Sequence, residues 1–316
     1  MRYLAALVLL AAGAAGAAFP DKPVRLVTPY SPGGGTDLVA RAMAPSFAKV
    51  WGQPVVVDNR VSGGGVIAAQ MVAAAAPDGY TLMLANSAVM LTAPMMMKGA
   101  AGYDPYKDFA PVGLVTTLPA FLLAQVSLPA TSVQDVIAMA RATPGKLAFS
   151  SSGAGGGGYL SAELLKSLAK IDIINVPYKG GGPAIVALLS GEVQFTFGNY
   201  TAARPHLLTQ RIKAIAVASA KRTVLMPHVP TLIEAGLADF EYSSWYAFYY
   251  PPRTPRDIVD NVNRETRRTL ADRAFSEMLL QQGAEATPGT PEELHRMMRA
   301  EEARWGMLVK GQHLKL

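Results

Sequence analysis

Val24-Arg25-Leu26-Val27-Thr28-Pro29-Tyr30-Ser31-Pro32-Gly33-Gly34-Gly35-Thr36-Asp37 carries a strand-like run into a glycine cluster and out again into a helix-like run. The same junction recurs three times: at Gly63-Gly64-Gly65, at Ser151-Ser152-Gly153-Ala154-Gly155-Gly156-Gly157-Gly158, and at Lys179-Gly180-Gly181-Gly182-Pro183. A helix N-terminus carries unpaired backbone N–H groups and the positive end of the macrodipole. Glycine lets a ligand approach that backbone closely. Two such junctions in each half of the chain predict a cleft that collects an anion from both sides.

Around the first junction the pattern is β-α-β-α-β. Strands are expected at Val24 to Pro29, Val55 to Asn59 and Thr81 to Ala85, with helices at Leu38 to Trp51 and after Gly65. Such alternation predicts a mostly parallel sheet covered on both faces by helices. A second alternation occupies Val133 to Ala218. Between the two lies Phe109 to Gln125, apolar and β-prone, with Pro111 and Pro119 as punctuation; it is expected to cross from one lobe to the other. The aromatic stretch Glu241 to Tyr250 is expected to cross back. Its tyrosines and Trp245 are equally compatible with walling a pocket and with filling the core where the lobes meet. The rest is helical, at Arg256 to Asp272, Arg273 to Gln282 and Pro291 to Val309. The expected architecture is α/β, two lobes hinged by two crossover strands, which is that of a hinged binding protein. The lobes are residues 19–116 plus 247–316, and 117–246.

Residues 1–18 read as a secretory signal peptide. Arg2 gives the charged start, the apolar run is too short to span a membrane comfortably, and Ala15-Gly16-Ala17-Ala18 offers small residues for cleavage. About 298 of the 316 residues then remain, enough for two domains each with its own core. There are no cysteines, which excludes disulfides, thiolate zinc sites and a cysteine nucleophile. An exported, cysteine-free chain fits the periplasm of a Gram-negative bacterium. The formal charge of +6 is spread out. Arg264, Arg267, Arg268 and Arg273 alternate with Asp260, Glu265 and Asp272, which is a solvated helix face rather than a nucleic-acid surface.

Catalysis finds little support. The four histidines, His206, His228, His295 and His313, show no zinc-like spacing, and no Gly-x-Ser-x-Gly elbow occurs. Gly153 to Gly158 satisfies a dinucleotide fingerprint when taken literally, but Asp172 begins the next strand instead of ending it. Lys179 to Pro183 lacks the Lys-Ser/Thr end of a P-loop. An exported two-lobe α/β enzyme, either a hydrolase or a dinucleotide-dependent oxidoreductase, is the alternative, and no cofactor is expected. Asp37 is awkward for an anion site. Its expected role is to cap the helix or orient neighbouring N–H groups.

These residues also resemble a known family. Lys22-Pro23-Val24-Arg25, Pro32-Gly33-Gly34-Gly35-Thr36-Asp37, Gly52-Gln53-Pro54-Val55-Val56-Val57-Asp58-Asn59-Arg60, Pro77-Asp78-Gly79-Tyr80-Thr81 and Tyr103-Asp104-Pro105 stand in one order and spacing. Pro144-Gly145-Lys146-Leu147, Val176-Pro177-Tyr178-Lys179-Gly180, Ala216 to Arg222 and Val229-Pro230-Thr231 follow. The chain resembles the Bug-type (Bordetella uptake gene) extracytoplasmic solute receptors of tripartite tricarboxylate transporters over nearly its whole mature length. The resemblance implies a two-lobe periplasmic-binding-protein fold (type II-like), hinged by two crossover strands, and a receptor that closes on a small organic acid and delivers it to membrane permease subunits, with no nucleic acid involved, acting as a monomer. It implies ligand contacts from Tyr30, Pro32, Gly33, Gly34, Gly35, Thr36 and Asp37, from Ser87 and Ala88 at a strand end, and from Ser151, Ser152, Gly155, Gly156, Gly157 and Tyr159. Lys179, Gly180 and Gly181 belong to the same set, and Asn199 and Tyr200 close the far side. The family often has His at the place of Tyr159 and Asp at the place of Gly198. Losing that Asp removes an acceptor for an ammonium, so a ligand without an amino group is expected.

Overall fold

The computed structural model describes residues 19–33, 35–61, 65–97, 99–151, 156–178 and 181–311, with side chains through 306. The expected signal peptide lies outside the described residues, as do Gly34, Gly63, Gly64, Ser152, Gly155, Lys179 and Gly180.

The first alternation forms β1 (Val24–Thr28), α1 (Gly35–Trp51), β2 (Val55–Asn59), α2 (Val66–Ala73) and β3 (Thr81–Asn86). β1 pairs in parallel with β2 on one side and β3 on the other. Helix α1 turns Val39, Ala40, Met43 and Phe47 inward, the i, i+3, i+4 stripe of a helix laid on a sheet. Gly65 precedes α2 at φ +93°, and a Cβ there would meet Pro29 and Val89 within 3 Å. This glycine supplies both a left-handed turn and a close contact.

After β3 the greasy segment becomes a π-helical turn (Ala88–Thr92) and a short α3 (Ala93–Met96). β4 (Ala110–Gln125) follows as one 16-residue strand. Its first part pairs antiparallel with β9 (Ser243–Tyr250), from Ala110↔Tyr250 to Pro119↔Ser243. Its last part pairs with β7 (Phe195–Asn199) and β8 (Ile212–Val217), beginning at Ala120↔Asn199. The two prolines do not break the strand. Pro111 borders a register shift, and Pro119 stands where the partners change, positions where a missing N–H costs little. A single strand thus runs through both sheets.

The second sheet is built like the first. The elements α4 (Val133–Ala142), β5 (Ala148–Ser151), α5 (Gly157–Ala169), β6 (Ile174–Pro177), α6 (Gly181–Ser190), β7 and α7 (Tyr200–Leu208) alternate, and β5 pairs in parallel with β6 and β7. Ser132 and Asp135 form a capping box at the start of α4. The helices α8 (Arg256–Ala271), α9 (Arg273–Gln281) and α10 (Pro291–Gly311) complete the chain, with β10 (Glu285–Ala286) pairing to Thr116 and Thr117 of β4. Each sheet carries an apolar core on both faces. The fold is the expected α/β two-lobe architecture. Helix α10 does not stay with one sheet: Leu294 and Met298 enter the core of the first, and Trp305 enters that of the second.

Candidate functional site

A cavity of about 360 Å³ opens at the carboxyl ends of the parallel strands, where the two sheets face each other across β4 and β9. Crevices outside the carboxyl ends of such strands are the usual ligand sites of α/β sheets. The first sheet supplies Tyr30, Asn86 and Ala88. The crossing strands supply the floor, with Leu118, Ala120 and Ser244, and Tyr242 just ahead of β9. The second sheet supplies the first turns of α5 and α6, through Gly156, Gly157, Gly158, Gly181, Ala184 and Ile185, and the end of β7 with Thr196 to Asn199. Among the described residues this wall carries no Lys, Arg, His, Asp or Glu.

Helices α1, α5 and α6 begin inside their glycine clusters rather than after them, and two of these glycines meet tyrosines of the returning aromatic stretch. A Cβ on Gly35 would collide with the Tyr246 hydroxyl, and one on Gly157 with the Tyr242 hydroxyl. A Cβ on Gly158 would stand 2.5 Å from the Phe197 carbonyl oxygen. The glycines therefore let α1 and α5 press their N-termini onto the hinge. Gly156, the N-cap of α5, makes no side-chain cap, and with Gly157 and Gly158 it lines the cavity, so the helix start brings N–H groups without a side-chain acceptor to this wall. By contrast, Asn199 caps α7, its Oδ1 accepting from Ala202 N at 3.2 Å.

Asn86 gives a second donor. Its Oδ1 accepts from the Tyr30 hydroxyl at 3.1 Å and from Val89 N at 3.0 Å. Among the described residues its amide nitrogen has no protein acceptor, and the residue lines the cavity. Burial pushes the Tyr30 phenol up, partly offset by the Asn86 contact, so it stays protonated. Behind them the Ser87 and Ser244 hydroxyls lie 3.4 Å apart, and both approach the Tyr242 hydroxyl.

Residues 39–314 match the family model described as the tripartite tricarboxylate transporter family receptor. The chain belongs to that family. BugT of Bordetella pertussis is 34% identical over 298 residues, covering 94% of this receptor and 91% of BugT. Among solved structures, Rpa4515 of R. palustris, with adipate, is 37% identical at a TM-score of 0.81, covering 92% of this chain and 97% of that one. MatC of Rhodopseudomonas palustris, with bound malate, is 34% identical at a TM-score of 0.78, covering 92% and 100%. The periplasmic binding protein BugD is 32% identical at the same TM-score, covering 94% and 99%. The family is one of receptors, and the exported-enzyme alternative is set aside.

Of the residues expected to contact ligand in this receptor, Tyr30, Ala88, Gly156, Gly157, Gly181 and Asn199 share the cavity wall. Pro32, Gly33, Gly35, Thr36, Asp37, Ser87 and Ser151 are not on this wall, and of these Pro32, Gly33 and Gly35 are exposed. Ser151 Oγ and Thr36 Oγ1 are buried without a hydrogen-bond partner among the described residues. Tyr159 packs instead against the core of the second sheet. Tyr200 turns toward Phe121, with ring centroids 6.2 Å apart, and lines a separate depression. Asn86, Leu118, Ala120, Gly158, Ile185, Thr196, Phe197 and Ser244 were not expected.

Asp37 organises the first glycine loop. Its Oδ2 accepts from Gly33 N at 2.8 Å and Arg41 Nε at 2.9 Å, and its Oδ1 from Asn59 Nδ2 at 2.9 Å. Asn59 Nδ2 also donates to the Tyr30 carbonyl at 2.9 Å. Burial works to raise the carboxyl's pKa, but the hydrogen bonds from Arg41, Gly33 and Asn59 outweigh it and hold the group below the usual carboxylate range. Asp37→Ala is expected to cost about 2 kcal/mol, since it strands several donors at a buried acceptor. A depressed folded pKa gives stability that is present above the unfolded value and lost as pH falls through the folded value. Asp37→Asn should therefore flatten the acid limb of a stability–pH profile measured by thermal melts. An unchanged acid limb would mean the carboxylate contributes nothing to folding.

Proposed function

We propose that this protein is a periplasmic receptor that captures a small organic carboxylate in the cavity between its lobes and hands it to membrane permease subunits. The lobes are residues 19–116 with 247–316, and 117–246, exported by way of a signal peptide at residues 1–18, with the receptor acting as a monomer. One observation supports the ligand class: the uncapped start of α5 and Asn86 line one cavity whose described wall holds no carboxylate. Tyr30, Ala88, Gly156, Gly157, Gly181 and Asn199 contact the ligand directly. Gly34, Ser152, Gly155, Lys179 and Gly180 complete the set of contacts, and Pro32, Gly33, Gly35, Thr36, Asp37, Ser87, Ser151, Tyr159 and Tyr200 hold or flank the loops. Adipate and malate, held by Rpa4515 and MatC, are acids of suitable size. Among the described residues no helix is long and apolar enough to cross a membrane.

Charge-assisted hydrogen bonds contribute about 1.5–3 kcal/mol each. Three or four of them, with lobe closure, reach the roughly 8 kcal/mol of micromolar binding. Closure also gives a permease a shape distinct from the open form, through differential affinity for the two states.

The test is a thermal-shift screen of the mature protein with adipate, malate, succinate and glutarate, against aspartate, glutamate and neutral analogues. A ligand at about 100 times its Kd stabilises the folded state by about 2.7 kcal/mol, a rise of roughly 4 °C for a chain of this size. The amino-bearing acids are expected to bind at least about tenfold more weakly than their deaminated counterparts, because an ammonium finds no carboxylate on the wall. Tighter binding of aspartate or glutamate would overturn that specificity, and silence with every acid would overturn the carboxylate class.

A further inference from the structure

Two cavities share the β4–β9 ribbon. The ligand cavity lies on one side, and a cleft of about 430 Å³ lies on the other. Neighbouring residues alternate between them as a strand requires: Leu118 and Ser244 face the ligand cavity, while Thr117, Ser243 and Trp245 face the rear cleft. Tyr242 alone among the described residues is on both walls.

Tyr242 therefore stands between the two cavities. Its hydroxyl is at the front, against the Gly157 backbone and beside Ser87 and Ser244. Behind it, the ring meets Trp305 of α10 edge to face, with centroids 5.5 Å apart. The backbone is fixed by Tyr242 N donating to the Ala218 carbonyl at 2.8 Å. The side chain is neutral, since burial and then the rear carboxylate of Glu301 push its phenol up.

The rear cleft is lined by six charged side chains, Lys221, Arg222, Glu241, Glu285, Glu301 and Arg304. Arg304 pairs with Glu241 at 2.8 Å and Arg222 with Glu234 at 2.9 Å, while Glu285 and Glu301 add acidic groups. Lys221 has no ion-pair partner among the described residues. A carboxylate reaching this cleft would find Lys221 as its counter-charge.

We propose that Tyr242 is a partition that sets ligand length: its ring closes the ligand cavity at the hinge and excludes acids that would extend into the rear cleft. This rests on the carboxylate-receptor function. Removing a buried aromatic ring leaves a cavity that the surroundings refill only in part. A cavity that ends on a ring rejects each added methylene by roughly tenfold or more, and one that continues does not.

The experiment is calorimetric titration of the mature protein, and of Tyr242→Phe, Tyr242→Leu and Tyr242→Ala, with straight-chain α,ω-diacids of increasing length. Wild type and Tyr242→Phe should share one length limit, because both keep the ring. Tyr242→Ala and, to a smaller degree, Tyr242→Leu should bind acids beyond that limit at least about tenfold more tightly than wild type does. An unchanged limit in variants that still melt cooperatively would overturn the proposal. The crystal structure of Tyr242→Ala gives a readout that needs no acid: a continuous passage from front to rear supports the partition, and collapse of the ribbon into the gap overturns it. If wild type binds no diacid while the passage is continuous, the carboxylate function fails and the partition stands.

Discussion

Gly181→Val is expected to lower acid affinity about 100-fold while the melting temperature stays within about 2 °C of wild type. Gly181 opens α6, is exposed, and lines the cavity. A Cβ there meets nothing within 4 Å. The backbone is outside the left-handed region, so a β-branched residue is tolerated. Replacing a helix glycine also removes some unfolded-state entropy. The valine methyls would occupy the space through which an anion approaches the α6 start. One lost charge-assisted hydrogen bond, at about 1.5–3 kcal/mol, plus part of the helix-terminus attraction, accounts for the roughly 2.8 kcal/mol that a 100-fold loss represents.

The glycines of α5 would behave differently. Gly157 abuts Tyr242 and Gly158 abuts the Phe197 carbonyl, so substitution there would disturb packing and binding together. Gly181 separates the two. Calorimetry of Gly181→Val beside its thermal melt is the measurement, and an affinity within threefold of wild type would place the anion away from α6.

The parallel parts of both sheets were legible in the chain because strand, glycine and helix alternate with clear periods. The second alternation was legible from its start at Val133, where α4 begins. The helix starts were displaced, because glycine has a poor helix propensity and was counted as loop. Packing against Tyr242 and Tyr246 draws Gly35 and Gly157 into the first turns of α1 and α5. The segment 88–97 was opaque because an all-apolar run has no face, and its π turn leaves no periodic mark. Prolines in β4 pointed to breaks, yet the strand uses them where pairing changes.

The site was half legible for related reasons. Glycine-rich loops announce themselves, whereas the floor is built by a buried strand in which Leu118 and Ala120 look like any core residue. Asn86 is an ordinary polar residue in the sequence, and its role comes from standing at the end of β3 beside Tyr30. The aromatic stretch was open between wall and core, and it is both. Tyr242 reaches the cavity, while Trp245, Phe248, Tyr249 and Tyr250 are core.

Trp245 leads to the last expected result: Glu301→Ala should lower stability by about 3 kcal/mol, a fall in melting temperature of roughly 5 °C. Glu301 on α10 accepts from Trp245 Nε1 at 2.6 Å through one oxygen and from Trp305 Nε1 at 3.1 Å through the other. Trp245 belongs to β9 and the core of the first sheet, and Trp305 to the core of the second. The carboxylate therefore ties the returning strand to the helix that bridges both sheets. Its removal strands two indole donors in a part-buried place. Glu301→Gln should cost about half as much, because one amide oxygen serves one indole and the amide nitrogen has no lone pair for the other. Burial raises the Glu301 pKa, against the pull of the two indoles and Arg304. A carboxyl with a raised folded pKa contributes stability that is fully present below the unfolded value and lost as pH rises through the folded value. Wild type should lose that increment on passing upward through the interval, and Glu301→Gln should not. Denaturant melts at several pH values measure both effects. Equal stability of Glu301→Ala and wild type, or the same pH slope in Glu301→Gln, would mean that α10 is held to the hinge by apolar packing of Trp305 and Met298 alone.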